Sequence, residues 1–152
     1  MTALRRAATT AGFTQDYISW PGGRRRLFLL PMLKARFIAP SGRSVITNAL
    51  VDSGATASFL PPDLAGALEL DRKICETSFG AGGAFRTWSA DVRVQLVKRM
   101  VAKCRPQKVE IRVPFSNICI PYAILGRDSV FWLYDITFRE TRQRIDLKPV
   151  VC

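Results

Sequence analysis

Strict alternation of apolar and polar residues is the feature that most constrains the fold of this chain. Because side chains along a strand point alternately to opposite faces, a period of two indicates strands with one buried face. The alternation occurs in two segments, whose apolar positions are Trp88, Ala90, Val92, Val94 and Leu96, and Val109, Ile111 and Val113. The sequence therefore predicts a domain built mostly from half-buried antiparallel strands.

A hairpin and a short helix are predicted on either side of Asp52. Apolar and basic residues alternate over residues 33–37, a β-prone run covers residues 45–51, and the turn-forming sequence Pro40-Ser41-Gly42 lies between them. We expect the two strands to pair and to lead into Asp52. Pro61-Pro62-Asp63 then favours the first turn of a helix, where proline is tolerated. The predicted apolar face of that helix consists of Leu64, Ala67 and Leu68.

The second half of the chain predicts more strands around a glycine-rich bend. That bend, residues 79–85, contains Gly80, Gly82 and Gly83 between two strand-like stretches. The elements predicted after the alternating strands begin with a connection over residues 100–107, followed by an apolar strand over 118–125, a helical stretch over 130–134 and a closing hairpin of residues 136–138 and 144–147.

Length and composition fit one compact domain with an N-terminal extension. The chain has 152 residues, of which 48% are hydrophobic, so it can bury a core. Residues 1–26 show no sustained period and are interpreted as a basic extension, with the domain over residues 27–152. The apolar run over residues 27–33 is far shorter than the ~20 residues that cross a bilayer. We expect no membrane span and, without an early apolar run typical of a secretory signal, a cytoplasmic location.

The net charge of +11 is concentrated in two segments. Residues 1–43 hold eight basic residues and one acidic residue, residues 98–112 hold six and one, and the remainder sums to −1. Neither segment interleaves aromatic residues in the manner of a stacking platform for nucleic acid. A solvated basic surface is therefore favoured, and nucleic-acid binding by the basic arm stays open as the less favoured alternative.

The residue inventory limits the chemistry of any active site. The chain contains no histidine, which excludes mechanisms that need an imidazole as general base. Hydrolysis would depend on carboxylates, lysine or tyrosine. No Cys-x-x-Cys pair and no histidine are present to hold a zinc ion, so no metal site is predicted. No cofactor is expected either. The four cysteines are widely separated at Cys75, Cys104, Cys119 and Cys152.

The sequence Asp52-Ser53-Gly54 places a carboxylate at the end of an apolar strand. The strand would fix the acid, the glycine would allow close backbone approach, and the hydroxyl could hold the loop rigid by a hydrogen bond. By itself the triplet is weak, because these three residue types are also common in ordinary turns.

Three elements in order make the motif specific. Residues 49–60, Ala-Leu-Val-Asp-Ser-Gly-Ala-Thr-Ala-Ser-Phe-Leu, resemble the active-site segment of retropepsin-like aspartic proteases, the superfamily of retroviral and LTR-retrotransposon proteases. Residues 123–128, Ala-Ile-Leu-Gly-Arg-Asp, are similar to the second signature of that family. Gly80-Ala81-Gly82-Gly83 lies where the family carries its flap. The resemblance covers residues 27–148.

The resemblance implies an all-β, retropepsin-like acid protease fold. Each subunit would be a half-pepsin closed β-barrel with a flap hairpin and a short C-terminal helix, and it would act as a homodimer. The implied catalytic residues are Asp52, Ser53, which would bond between subunits, and Gly54. The other implied site residues are Ala55, Phe79, Gly80, Ala81, Gly82 and Gly83 for substrate binding, and Arg127 and Asp128 for structural support. Further apolar liners, which are equally candidates for the core, are Val51, Phe85 and Ile124.

The expected function is an aspartic endopeptidase in which two Asp52 carboxylates, one from each subunit, activate a water. The alternative is a domesticated dimerisation or peptide-binding module with little peptidase activity. One departure concerns Thr56 and Ala57, which stand where retroviral members carry acidic residues that pair with the arginine of the second signature. Arg127 therefore needs a different partner.

Overall fold

Strands make up most of the structure, a computed structural model that describes residues 12–22, 26–97, 105–116 and 120–150. One α-helix, α1 (Pro62–Ala67), and two single-turn 3-10 helices, Val130–Trp132 and Glu140–Arg142, lie in these ranges. The predicted mostly-β class is confirmed. The strands are β1 (Phe13–Asp16), β2 (Ile18–Gly22), β3 (Arg26–Leu30), β4 (Met32–Ile38), β5 (Ser44–Val51), β6 (Cys75–Gly80), β7 (Gly83–Leu96), β8 (Gln107–Pro114), β9 (Ala123–Leu125), β10 (Tyr134–Arg139) and β11 (Arg144–Pro149).

The largest sheet positions the ends of two strands side by side. Its order is β6-β7-β4-β5-β9, and β8 also pairs with β7. The pairing of β5 with β9 is parallel, through Ala49 opposite Ala123 and Val51 opposite Leu125, whereas the other strand pairs of this sheet are antiparallel. Parallel strands end at the same edge of a sheet. The loops that begin at Asp52 and Gly126 are consequently neighbours.

The predicted alternation marks the core correctly. All eight apolar positions of β7 and β8 that define the period are buried, and Ile111 and Val113 are fully so. They pack with Phe37 of β4 and with Leu60 and Leu68 around α1 in one hydrophobic cluster. Burial of these faces is the main stabilising contribution to the sheet.

The glycine-rich bend is the turn of a hairpin between β6 and β7. Gly80 pairs with Gly83, which leaves Ala81 and Gly82 at the tip. Gly83 has a φ of +103°, a conformation that residues with a side chain rarely adopt. This hairpin confirms the predicted bend between two strands, and the β4–β5 hairpin confirms the strand pairing predicted before Asp52.

Helix α1 departs from the prediction in its buried face. Ala65 and Leu68 are buried and Leu64 is partly buried, but Ala67 is exposed. Ala65 lies three residues before Leu68 and shares its side of the helix, which makes contact with β8. No helix in the described part of the chain combines the length and apolar character needed to cross a bilayer.

The C-terminal elements are shorter than predicted, except for the closing hairpin. Of the strand expected over residues 118–125, the described residues 120–125 form only β9, and Pro121 has no N–H to donate to a ladder before it. The expected C-terminal helix is a single 3-10 turn, because Tyr134 already begins β10. The hairpin of β10 and β11 is confirmed, with Phe138 opposite Ile145. Most of the predicted connection over residues 100–107 lies outside the described residues.

Strands also form before Leu27, where none was predicted. β1 pairs with β11, Phe13 lies opposite Leu147, and Phe13 and Tyr17 are buried in the core. The Tyr17 hydroxyl donates a 2.6 Å hydrogen bond to Glu140 Oε1. Burial, and secondarily this bond, raise the pKa of Tyr17 to about 12. These strands are too short for their period to be visible. The domain boundary at residue 26 stays a prediction.

The packing of β1 predicts that the segment before Leu27 stabilises the domain. Phe13→Ala removes a buried ring that meets Tyr134 edge to face, with 6.4 Å between ring centroids. We expect the free energy of unfolding to fall by about 3 kcal/mol. Urea denaturation of this variant and of a control, Ser19→Ala at an exposed position of β2, measures the difference. Equal stabilities would contradict the packing of β1 on β11.

Candidate active site

Strand β5 delivers Asp52 to the edge of the sheet with its backbone fixed on both sides. The amide of Val51 donates to the Pro31 carbonyl at 2.9 Å, and the amide of Asp52 donates to the Leu125 carbonyl at 3.1 Å. Val51 itself is 2% exposed. The carboxylate thus leaves the sheet from a backbone that is hydrogen-bonded to both neighbouring segments.

A tight turn then orients the Asp52 carboxylate. Asp52 Oδ1 accepts a 2.8 Å hydrogen bond from the Gly54 amide, and the Asp52 carbonyl accepts one of 3.2 Å from the Ala55 amide. A Cβ atom on Gly54 would lie 3.2 Å from Oδ1, so a side chain there would crowd the acid. The turn holds one carboxylate oxygen and leaves the partly buried group facing outward.

The loop after β9 supports this turn through Ser58. Ser58 is fully buried; its Oγ donates to Asp128 Oδ1 at 2.6 Å and accepts from the Gly126 amide at 2.9 Å. The Ser58 amide donates to Asp128 Oδ2 at 3.1 Å. Ser129 Oγ in turn donates to the Gly126 carbonyl at 2.9 Å. Buried groups with partners on every side hold the two loops in one arrangement.

Gly126 allows the two loops to come this close. A Cβ atom at this position would lie 2.4 Å from the Ala57 carbonyl oxygen and 2.9 Å from that of Ala55. Arg127 adds a backbone bond, because its amide donates to the Ala55 carbonyl at 2.9 Å. The Arg127 side chain is exposed.

A cleft of about 980 Å³ opens in front of Asp52. Asp52, Gly54 and Ala55 form one wall, and the tip of the β6–β7 hairpin forms the other. Phe79, at the end of β6, is 79% exposed and borders this space. The volume of the cleft lies within the range of ~300–1,000 Å³ that is common for ligand-binding clefts.

Most of the site residues predicted from the sequence line this cleft, and a few lie elsewhere. Ser53 is exposed but does not line the cleft, Val51 belongs to the core, and Arg127 and Asp128 lie in the loop after β9. Asp128 holds Ser58, and Arg127 contributes its backbone amide. The predicted residues that line the cleft are Asp52, Gly54, Ala55, Phe79, Gly80, Ala81, Gly82, Gly83, Phe85 and Ile124.

Sequence reasoning missed several residues of the cleft wall. Glu76 on β6 and Arg112 on β8 line the cleft and form an ion pair between Arg112 Nε and Glu76 Oε1. Arg112 occupies a polar position in the alternating pattern of β8. The sequence therefore indicates only that its side chain lies on the polar face of the strand, and it gives no sign of the cleft. Phe59 and Ile120 add apolar surface to the same cleft.

Comparisons with known proteins give the fold family. No protein family and no curated protein matches the chain. The solved structure of a retropepsin-like aspartic protease from Rickettsia conorii is similar, with a TM-score of 0.54, 16% sequence identity, and coverage of 76% of this chain and 89% of that one. The chain has the retropepsin-like fold.

Two other solved structures overlap less closely. EIAV protease complexed with the inhibitor HBY-793 has a TM-score of 0.49 and 23% identity, with 74% of this chain and 92% of that chain covered. The retroviral protease-like domain of Ddi1 from Leishmania major has a TM-score of 0.42 and 14% identity, with 80% and 96% covered.

The close approach at Gly126 predicts a strong effect of a single methyl group. Gly126→Ala places Cβ against the Ala57 carbonyl, and relief requires the two loops to separate. We expect a loss of about 2 kcal/mol or more in the free energy of unfolding. The matched control is Gly66→Ala in α1, where nothing lies within 4 Å of the added Cβ and alanine favours the helix. Thermal denaturation of both variants measures the contrast, and equal melting temperatures would contradict it.

Proposed function

We propose that this chain is an aspartic endopeptidase that hydrolyses peptide bonds as a homodimer. The observation that carries the proposal is Asp52, whose carboxylate is oriented by the Gly54 amide at the wall of a cleft of about 980 Å³ in a retropepsin-like fold. The oriented acid and the cleft together supply a reactive group and a place for its substrate.

The second carboxylate of the reaction comes from a second copy of the chain. Among the described residues that line the cleft, the other carboxylate is Glu76, and Arg112 pairs with it. Asp128 is bonded to the buried Ser58. Neither acid is free to share a proton with Asp52. A two-fold axis near the Asp52 turn would bring two identical carboxylates together.

The dyad would work by sharing one proton. Two carboxylates about 3 Å apart do not both ionise, because each negative charge disfavours the other. The ionised Asp52 takes a proton from a water held between the subunits, and the protonated Asp52 of the other subunit donates to the carbonyl oxygen of the scissile bond. The water attacks the carbonyl carbon directly, so a tetrahedral gem-diol forms and no covalent enzyme intermediate does. The C–N bond then breaks as the carboxyl that took the proton from water returns it to the leaving amine, and the gem-diol gives its proton back to the other carboxylate. Ser53, exposed beside the acid, would bond to the other subunit's loop.

The β6–β7 hairpin would serve as the flap over the bound peptide. Its tip at Ala81 and Gly82 borders the cleft opposite Asp52. An extended peptide would lie between the hairpin and the sheet as an added strand, with backbone hydrogen bonds for affinity and side-chain pockets for selection. Closure would exclude bulk water from the dyad.

The proposal predicts that Asp52→Asn abolishes cleavage without unfolding the protein. An amide cannot serve as the base, so we expect at least about a thousandfold loss in kcat/KM on an unbiased peptide library at mildly acidic pH. Asp71→Asn, an exposed aspartate outside the cleft, is the matched control and should retain activity. Comparable cleavage by the Asp52 variant would refute the assignment.

The shared dyad also predicts a dependence on protein concentration. Specific activity should fall on dilution in parallel with the dimer fraction measured by analytical ultracentrifugation, because a monomer holds one Asp52. A strictly monomeric protein that cleaves peptides would contradict the shared site. A dimer that binds peptides without cleaving them would favour the peptide-binding module instead.

A further inference from the structure

Five charged side chains of alternating sign form a continuous ladder on one face of the sheet. Lys73 Nζ lies 3.0 Å from Asp91 Oδ1 and 2.9 Å from Glu110 Oε2. Arg112 Nη1 lies 3.0 Å from Glu110 Oε1, and Arg112 Nε contacts Glu76 Oε1. The order along the ladder is therefore acid, base, acid, base, acid.

The two ends of the ladder lie in different surroundings. Asp91, at one end, has a side chain that is 60% exposed, whereas the Arg112 side chain near the other end is 22% exposed. Arg112 and Glu76 line the cleft, and the other three members do not. The ladder thus runs from the open surface of the sheet into the wall of the candidate active site.

The ladder carries a net negative charge, and Glu76 is its acidic member in the cleft. Three carboxylates and two cations leave a net charge of −1 for the five side chains. Arg112 is shared between Glu76 and Glu110, whereas Glu76 has Arg112 as its one ion-pair partner among the described residues. Glu110 remains an anionic partner of Arg112. Its pKa is lowered, first by the hydrogen bond from Lys73, which favours the ionised carboxylate.

In the lining of this cleft, the charge of Glu76 would affect which peptide side chains bind favourably. Phe59, Phe85 and Ile124 provide the apolar lining of the same cleft. A peptide that covers Glu76 would remove the remaining water from its carboxylate, which is unfavourable unless a new partner replaces that water. An acidic substrate side chain would add repulsion, while a cationic one would complete the ladder.

We propose that Glu76, held by Arg112, makes the cleft selective for a peptide with a lysine or arginine side chain in the subsite that these two residues line. This inference rests on the proposed function, because it names the substrate class of the same cleft. The ammonium or guanidinium group would donate to the Glu76 carboxylate, and its aliphatic stem would lie along the apolar wall. Arg112 would act as a positioning residue that holds Glu76 toward the substrate.

Cleavage kinetics with matched peptides test the selectivity. We expect the wild-type chain to cleave a peptide with lysine in this subsite about tenfold faster, in kcat/KM, than the same peptide with glutamine, and to cleave the glutamate peptide most slowly. Glu76→Gln should remove most of the lysine preference, and Glu76→Lys should reverse it toward glutamate. Glu69→Gln is the matched control, since Glu69 pairs with Arg43 and lies outside this cleft. It should leave the preference unchanged.

Binding to the Asp52→Asn variant separates this inference from the proposed function. Fluorescence anisotropy with the labelled lysine, glutamine and glutamate peptides reports selection without chemistry. Lysine-selective binding that Glu76→Gln abolishes, in a protein whose wild type cleaves nothing, would support the subsite and overturn the peptidase. Cleavage by the wild type with no preference for basic side chains would overturn the subsite and leave the peptidase standing. The subsite would also be overturned if the wild type preferred the glutamate peptide and the Arg112→Gln variant lost that preference.

Discussion

The hydrogen-bonded crossing of two loops behind Asp52 is the constraint on which the candidate site depends. Because β5 and β9 are parallel neighbours, their ends bring the Asp52 turn and Gly126 to the same edge of the sheet. Ser58 is buried between them and is bonded to Asp128 and to the Gly126 amide. None of the buried side-chain oxygens in the described residues of this crossing lacks a partner, so separating the loops would leave several unpaired at once. Asp52 inherits its fixed position from this arrangement.

The two walls of the cleft are built from different elements of the fold. The crossing fixes the acid, and the β6–β7 hairpin contributes a wall whose tip has a glycine-rich turn. The charge ladder enters the cleft through Glu76 on β6 and Arg112 on β8. β8 also carries a buried alternating face. A sheet can present a core on one face and a charged recognition surface on the other, because successive side chains point in opposite directions. The proposed selectivity therefore requires no change in the core.

Local patterns predicted those parts of the fold that depend on local periodicity. The alternating faces of β7 and β8, the hairpin before Asp52 and the glycine-rich turn between β6 and β7 follow from residues within a few positions of one another. β1 could not be predicted in this way, since four residues show no period and the strand is stabilised by pairing with β11 at the other end of the chain. The prediction that Ala67 lies on the buried face of α1 was wrong. The buried side of this helix is determined by its packing on β8, which lies far away in sequence.

The sequence by itself determined that Asp52 ends an apolar strand in an Asp-Ser-Gly turn, and that no histidine is available for hydrolysis. Both statements concern residue identity or nearest neighbours. Only the tertiary structure decided that Asp128 accepts a hydrogen bond from Ser58, and that Glu76 and Arg112 line the cleft as an ion pair. The physical reason is separation along the chain: these contacts join residues tens of positions apart, and only the folded sheet and its loops bring them within reach of a hydrogen bond.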